Sequence, residues 1–419
     1  MMDRPLFNST KLYETLCGTL LDATVRNALG ELAWPTVKDD DWKYSDLTPL
    51  AKRAFETAPH MTGDLPAEAK KFFKTGAVNL VFINGVFSAR YSELARLPSG
   101  LAVTCGKESV AQAQSLKPYF NGTTKNDARL LLSLNQVFAN DLILLHVGKG
   151  QSPKVPVQIL HVIDDTAEKK ALFPKIFIHL APFAELSVLE TTICTGASEY
   201  LNIPVTEALL EDNAALNHVQ AQAHSPAAFH VGSVRVWLKQ NARLNSFLAT
   251  NGARIFRSHV NAILEGQGAA AILNGLHALR DERHADSHTF IHHVAPNAHS
   301  NQLYKCILDG ESHSVFHGKV LVEREAQLTN SYQLNKNLLL SRTCHADTKP
   351  ELKINADDVK CTHGATIGQL NDEEIFYLET RGIARQDAAR MLTRGFVDDV
   401  LNQITNPLLR SAVSELIPI

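Results

Sequence analysis

The 419-residue sequence contains few features that mark a membrane, nucleic-acid-binding or exported protein. No uninterrupted apolar run approaches eighteen residues, so no membrane span is expected. No run of five basic residues occurs and the net charge is −3, which gives no electrostatic basis for binding nucleic acid. The first residues lack the apolar core of a signal peptide. We therefore expect a cytoplasmic protein.

Motifs for phosphate, dinucleotide and acyl chemistry are also absent. The sequence has no Walker A motif, no GxGxxG fingerprint and no GxSxG elbow. We therefore expect this chain not to be an enzyme, and in particular not to hydrolyse ATP. Its six cysteines form no CxxC pair, which indicates separate thiols: they are Cys17, Cys105, Cys194, Cys306, Cys344 and Cys361.

The composition, with 45% hydrophobic and 20% charged residues, is ordinary for a globular protein, and the length suits two or three domains. Residues 1–140 form the first predicted domain, mixed α/β and largely helical. Apolar spacing predicts helices over Lys11–Leu32 and Asn126–Phe138. Asn79–Ser88 is typical of a β-hairpin with a type I′ turn at Asn84 and Gly85.

An internal repeat begins after residue 141. Alanine recurs at spacings of 28 or 30 residues, at Ala184, Ala214, Ala242, Ala270, Ala298 and Ala326. The residue two positions later is aliphatic in five of the six copies, and the next is small and polar in five. Strands without helices at such a period indicate stacked coils, and the period is too short for propeller blades. We predict a mainly β protein with a right-handed parallel β-helix over residues 141–370.

Helical spacing resumes over residues 371–419, the third predicted domain. Asn371 is placed to cap a helix that Gly382 ends. A second helix is predicted to run until Pro407 stops it. A solenoid needs its ends covered, so these helices are expected to cap it.

The segment Asp357–Gly368 carries a thiol and an imidazole two residues apart. In a strand, Cys361 and His363 share one face, about 7 Å apart. A thiolate and an imidazole suit iron or zinc, but two ligands cannot complete a tetrahedral site. A second chain or distant residues would have to complete it. The alternative is that Cys361 is a buried core residue and His363 a polar neighbour.

Histidines are concentrated at His277, His284, His288, His292, His293 and His299. The spacing 284, 288, 292 would align three imidazoles on a helix, as in a zinc site. The repeat predicts a strand instead, with His288 and His292 on one face. Ladders of stacked or surface histidines are therefore favoured over a dedicated metal site.

Six stretches are distinctive in their residues, order and spacing: Ser300–Lys305, Val315–Val320, Asn337–Ser341, Thr348–Ile354, Asp357–Gly368 and Phe376–Ile383. Together they closely resemble the SufB/SufD family of the SUF machinery for iron–sulfur cluster assembly. The resemblance runs from about Pro156 to Phe396, with a weaker match at Asp41–Asp46. The sequence has His363-Gly-Ala-Thr366 where SufB-type segments resemble His-Glu-Ala-Thr. The chain therefore resembles the SufD type, with an ancestral B/D-like homodimer as the alternative.

The resemblance implies a β-helix core and a scaffold role in a SufBCD-type complex. The chain would pair with a SufB paralogue through the β-helix and form a homodimer when isolated. Its C-terminal helices would bind the ATPase SufC, which hydrolyses the ATP, through Phe376, Leu378, Arg381, Gly382 and Ile383. His363, with Cys361 second, would hold iron or a nascent cluster shared with the partner, and flavin would bind only in the assembled complex.

Two other classes fit parts of the sequence. A β-helix can be a polysaccharide lyase or hydrolase, but no carboxylate pair recurs in the repeats. A purely structural scaffold without metal chemistry is the stronger alternative. It predicts that replacing His363 leaves cluster assembly unchanged, whereas loss of the C-terminal helices abolishes it.

Overall fold

The computed structural model describes residues 7–17, 23–58, 64–116, 119–121, 129–139 and 141–417. The helices are α1 (Lys11–Cys17), α2 (Ala23–Gly30), α3 (Thr48–Ala51), α4 (Gly106–Ser115), α5 (Arg129–Phe138), α6 (Asp372–Glu379), α7 (Arg385–Leu401) and α8 (Pro407–Leu416). The strands are β1 (Glu56–Thr57), β2 (Val78–Ile83), β3 (Val86–Phe87), β4 (Leu101–Cys105), β5 (Leu142–Val147), β6 (Val157–Ile163), β7 (Lys170–Leu172), β8 (Lys175–Leu180), β9 (Glu185–Cys194), β10 (Leu201–Asn202), β11 (Val205–Leu210), β12 (Ala215–Ala223), β13 (Phe229–Leu238), β14 (Arg243–Thr250), β15 (Ile255–Leu264), β16 (Ala270–Leu279), β17 (His284–His293), β18 (His299–Leu308), β19 (His313–Val322), β20 (Thr329–Leu339), β21 (His345–Ile354) and β22 (Val359–Gly368).

The strands after residue 141 form a parallel β-solenoid with two sheets, which confirms the predicted fold class. Each coil contributes one strand to each sheet. Sheet 1 runs β21-β19-β17-β15-β13-β11-β8-β5-β4, and sheet 2 runs β22-β20-β18-β16-β14-β12-β9-β6-β2-β3. Aliphatic and alanine side chains from both sheets fill the space between them. The burial of this apolar surface is the main stabilising contribution to the solenoid.

The repeat predicted from alanine spacing is correct for part of the solenoid. Ala184, Ala214, Ala242 and Ala298 are fully buried, and each follows a residue with a positive φ angle. A small residue fits at this point because the chain turns sharply toward the interior. The register then slips in two coils, since Ala269 takes this position instead of Ala270, and Thr329 follows the left-handed Leu328 instead of Ala326.

The polar position of the repeat also forms a ladder. Asn217 donates its amide to Ser187 Oγ over 3.3 Å, and Asn245 donates to Asn217 Oδ1 over 2.9 Å. The aliphatic position stacks Leu186, Leu216 and Leu244 in one column, but Ile272 and Leu328 are exposed because they lie outside this register.

The N-terminal region contributes strands to both sheets. Strand β2 pairs in parallel with β6, and β4 pairs antiparallel with β5. The predicted hairpin is confirmed, since Phe82 pairs with Phe87 and Asn84 and Gly85 both have positive φ. The predicted boundary at residue 140 stays a prediction, although the sheets extend upstream of it.

Some predicted helices differ from those observed. Two helices, α1 and α2, occupy the stretch predicted as one over residues 11–32; residues 18–22 of it lie outside the described part. Helix α5 confirms the predicted helix over 126–138 from residue 129 onward, and residues 126–128 are not described. The Asn371 cap is confirmed, because its Oδ1 accepts from the Glu373 amide over 2.9 Å.

The C-terminal region also differs from its prediction. Helix α7 ends at Leu401, and Pro407 begins α8 instead of ending a helix. Proline fits there because the first turn of a helix needs no amide donor from it. The apolar faces of α7 and α8 pack on the outer face of sheet 2, against residues such as Val219, Phe247 and Ile307. These helices thus lie along the solenoid, and the expectation that they cap its end is wrong.

Candidate functional site

Strand β22 holds both predicted ligands on the last coil. Cys361 pairs with Ser331 of β20, and His363 pairs with Gln333. Cys361 packs against the apolar interior of the solenoid, so its side chain points inward. Alternation along the strand places His363 on the same inward face. The two residues therefore share one face of an observed strand, and their role as ligands stays a prediction.

The two side chains differ in accessibility. Cys361 is half-buried, and this burial raises the pKa of its thiol above the ordinary value. The thiol is therefore protonated at neutral pH, and binding a metal would require loss of that proton. His363 is exposed and can reach a group outside the chain. His363 is thus the more available ligand of the pair.

The last coil is left uncovered by the residues that the structure describes. Neither β21 nor β22 contains a buried residue, and each is the outermost strand of its sheet. Directly inside this coil, Gln333 is fully buried, and its side-chain nitrogen and oxygen have no hydrogen-bond partner among the described residues. An open strand edge offers free N–H and C=O groups to another chain. The described residues therefore leave an open end surface at this coil.

The predicted partner-binding residues lie on α6 and the turn that follows it. Phe376 and its neighbour Tyr377 are 65% and 57% exposed. Arg381 is exposed and donates to the Tyr377 hydroxyl over 3.0 Å. Leu378 and Ile383 are half-buried, and Gly382 has a φ of 84°, which favours glycine. Two adjacent exposed aromatic residues are unusual on a surface that stays in water.

Two of the six concentrated histidines, His284 and His288, form ladders on sheet 1, whereas His277 and His293 are buried and His299 lies on β18 of sheet 2. Residues His284–His293 form a strand, so the helix that would align three imidazoles for zinc does not occur. His284 stacks on His313 with ring centroids 4.9 Å apart, and His288 stacks on His317 at 4.7 Å.

Sequence reasoning missed the residue that joins one ladder. Asp41, from the N-terminal region, places a carboxylate oxygen beside His288 and His317. In the sequence, Asp41 was marked only by the weak family match at Asp41–Asp46. Residue spacing could not predict that this segment lies against sheet 1.

No helix among the described residues is long and apolar enough to cross a bilayer.

Comparison with known proteins gives two family matches that together cover most of the chain. Residues 161–396 match the SufBD core domain of SUF-system FeS cluster assembly, and residues 11–159 match the SufBD N-terminal region. A SufBD family protein of Synechocystis is 33% identical over 90% of this chain and 85% of its own length. The Escherichia coli iron–sulfur cluster assembly protein SufD is 28% identical over 90% and 87%, and the chloroplastic protein ABCI7 of Arabidopsis thaliana is 29% identical over 90% and 80%. The chain therefore belongs to the SufBD family of the SUF system for iron–sulfur cluster assembly.

Proposed function

We propose that this protein is a non-catalytic scaffold subunit of a cytoplasmic SufBCD-type complex. Its last coil would pair with a SufB paralogue, and α6 with the following turn would bind a SufC ATPase. The observation that supports the proposal is that the open last coil holds His363 and Cys361 on one strand, where they would supply half of a ligand set. Metal binding would then depend on assembly, because the partner supplies the remaining ligands.

His363 is the proposed ligand for iron or a nascent cluster, and Cys361 is secondary. The exposed imidazole of His363 is accessible to a metal ion. The thiol of Cys361 must first be deprotonated, and burial raises its pKa and so opposes that step. The packing of Cys361 against the apolar interior also supports a structural role for it. Isolated chains would pair through the same coil as homodimers, because a surface that accepts a paralogue often accepts its own copy.

The ligand role is tested by His363→Ala in a reconstituted complex, with cluster yield measured by absorbance and bound iron. We expect normal complex formation and a loss of most of the cluster. His345→Ala is the matched control, since His345 is an exposed histidine on the other strand of the same coil. Normal yield in His363→Ala would refute the ligand role and favour the purely structural scaffold.

The SufC contact is tested separately by Phe376→Ser. Removal of a ring that is 65% exposed should leave folding unchanged but weaken SufC binding by at least about tenfold. Phe183→Ser is the control, because Phe183 is 58% exposed on a turn of the solenoid remote in sequence from α6. Equal SufC affinity in the two variants would contradict the assignment.

A further inference from the structure

A second cluster of potential ligands lies on the outer face of sheet 1, apart from β22. One ligand atom each from Asp41, His288 and His317 lies within 4.8 Å of the other two. His317 Nδ1 and Asp41 Oδ1 are 3.7 Å apart, which is too far for a hydrogen bond. Bonds of about 2.1 Å to one ion would hold such atoms about 3 Å apart, so the three side chains would move closer together when they bind it.

Both imidazoles are oriented by carboxylates at their other nitrogen. His288 Nε2 is 3.1 Å from Asp286 Oδ1, and His317 Nε2 is 3.4 Å from Glu351 Oε2. His317 Nδ1 faces Asp41 Oδ1, whereas His288 Nδ1 faces Arg257 Nη2 at 3.2 Å and would have to exchange this contact for a metal. A carboxylate behind a ligating histidine is the usual outer shell of a protein metal site.

The third ligand is held in place by its backbone. Arg257 Nη2 donates to the Asp41 carbonyl over 2.6 Å, and the guanidinium lies 3.6 Å from the Trp42 ring centroid. These contacts fix residues 41 and 42 against the sheet, while the Asp41 carboxylate remains 54% exposed and able to rotate.

The charges around the cluster allow a divalent cation. Arg257 is paired with Asp286 over 2.7 Å, and Lys349 is paired with Asp40 over 2.7 Å. Arg257 Nη2 also lies 3.2 Å from His288 Nδ1, and a bound ion would replace this contact. Arg257 would keep its bonds to Asp286 and to the Asp41 carbonyl.

We propose that Asp41, His288 and His317 form a binding site for a divalent first-row transition metal such as Fe(II). Two imidazoles and one carboxylate are a ligand set that takes Fe(II) and leaves coordination positions open. The site lies within a single chain, so it would bind metal without the partner that the last coil requires.

The test is an anaerobic titration of the full-length protein with Co(II) or Fe(II), following bound metal by dialysis and Co(II) by its visible absorption. We expect one equivalent to bind, and Asp41→Asn or His317→Gln to weaken it at least about tenfold. Glu351→Gln should weaken it by about 10- to 100-fold by releasing His317. Asp40→Asn is the matched control, because Asp40 is a neighbouring carboxylate that pairs with Lys349 outside the triad.

Asn has nearly the same shape as Asp, so Asp41→Asn should fold normally. Equal urea midpoints for the wild type and the variants will show that folding is intact. Equal Co(II) affinity in the wild type, Asp41→Asn and His317→Gln overturns the proposal. Repeating the titrations on a His363→Ala background separates this site from the last coil. An equivalent that disappears in that background also overturns it, since the metal would then sit on β22.

Discussion

The buried histidine His277 is expected to make the free energy of unfolding depend on pH. Its contribution can be measured separately from that of the other histidines. His277 is fully buried between the sheets, and its two ring nitrogens contact Ser314 Oγ at 2.8 Å and Ser287 Oγ at 2.7 Å. Burial lowers its pKa from 6.5 to about 4. The folded protein therefore keeps this imidazole neutral where the unfolded chain would protonate it.

The sign and size of the effect follow from that pKa. Between pH 6.5 and 4 the unfolded state binds one more proton, so the contribution is fully present above pH 6.5 and is lost as the pH falls toward 4. At 1.36 kcal/mol per pKa unit, the whole loss is about 3 kcal/mol, of which about 2 kcal/mol has occurred by pH 5.

Replacement by glutamine removes the titration but keeps hydrogen bonding to both serines. We expect the free energy of unfolding of His277→Gln, measured with urea, to fall by about 2 kcal/mol less than that of the wild type between pH 7 and pH 5. Other buried histidines titrate in both proteins, so the difference isolates His277. The exposed His299→Gln is the control and should follow the wild type. Parallel pH curves for wild type and His277→Gln would refute the reasoning.

Three further predictions concern packing and capping. Gly275→Ala should destabilise the protein by about 1–3 kcal/mol in urea unfolding, because a Cβ there would lie 2.2 Å from the buried Tyr304 ring; an unchanged midpoint would contradict this. Asn406→Ala should cost about 1 kcal/mol in the same assay, since its side chain accepts from the Leu408 and Leu409 amides at the start of α8, whereas Asn402→Ala should cost less. Ser45→Ala removes a 2.5 Å hydrogen bond to Asp286, worth about 1.5 kcal/mol, and should speed amide exchange of residues 40–46 roughly tenfold without altering exchange in β20.

The fold was predictable because a solenoid repeats its constraints along the sequence. A small residue follows the left-handed residue in the turns that lead into β9, β12, β14, β16, β18 and β20, and this requirement left alanines at nearly constant spacing. The prediction failed at Ala270 and Ala326 because the turns differ in length, and threonine also satisfies the requirement. The prediction for Pro407 was wrong because proline is common both after the end of a helix and in the first turn of the next one.

The two candidate sites differ in how far sequence could reveal them. Cys361 and His363 are two residues apart, so strand alternation alone places them together. Asp41, His288 and His317 meet only because the N-terminal segment lies across sheet 1, held by the contacts of Arg257. No local pattern encodes such a long-range contact. The sequence also did not reveal that none of the described helices covers β22, because the apolar faces of α7 and α8 would suit either position.

The two ends of the solenoid differ, and under the proposed pairing this difference would limit how many copies can join. At the first end, the short antiparallel strands β3 and β4 flank the sheets, and apolar side chains close the interior: Phe87, Leu94, Leu97 and Val103. Within the part of the chain that the structure describes, only the β21–β22 end presents long parallel strands to another chain. If two subunits met through these strands, as proposed above, both open edges would be used and assembly would stop at two. A β-solenoid open at both ends would instead add copies into a filament.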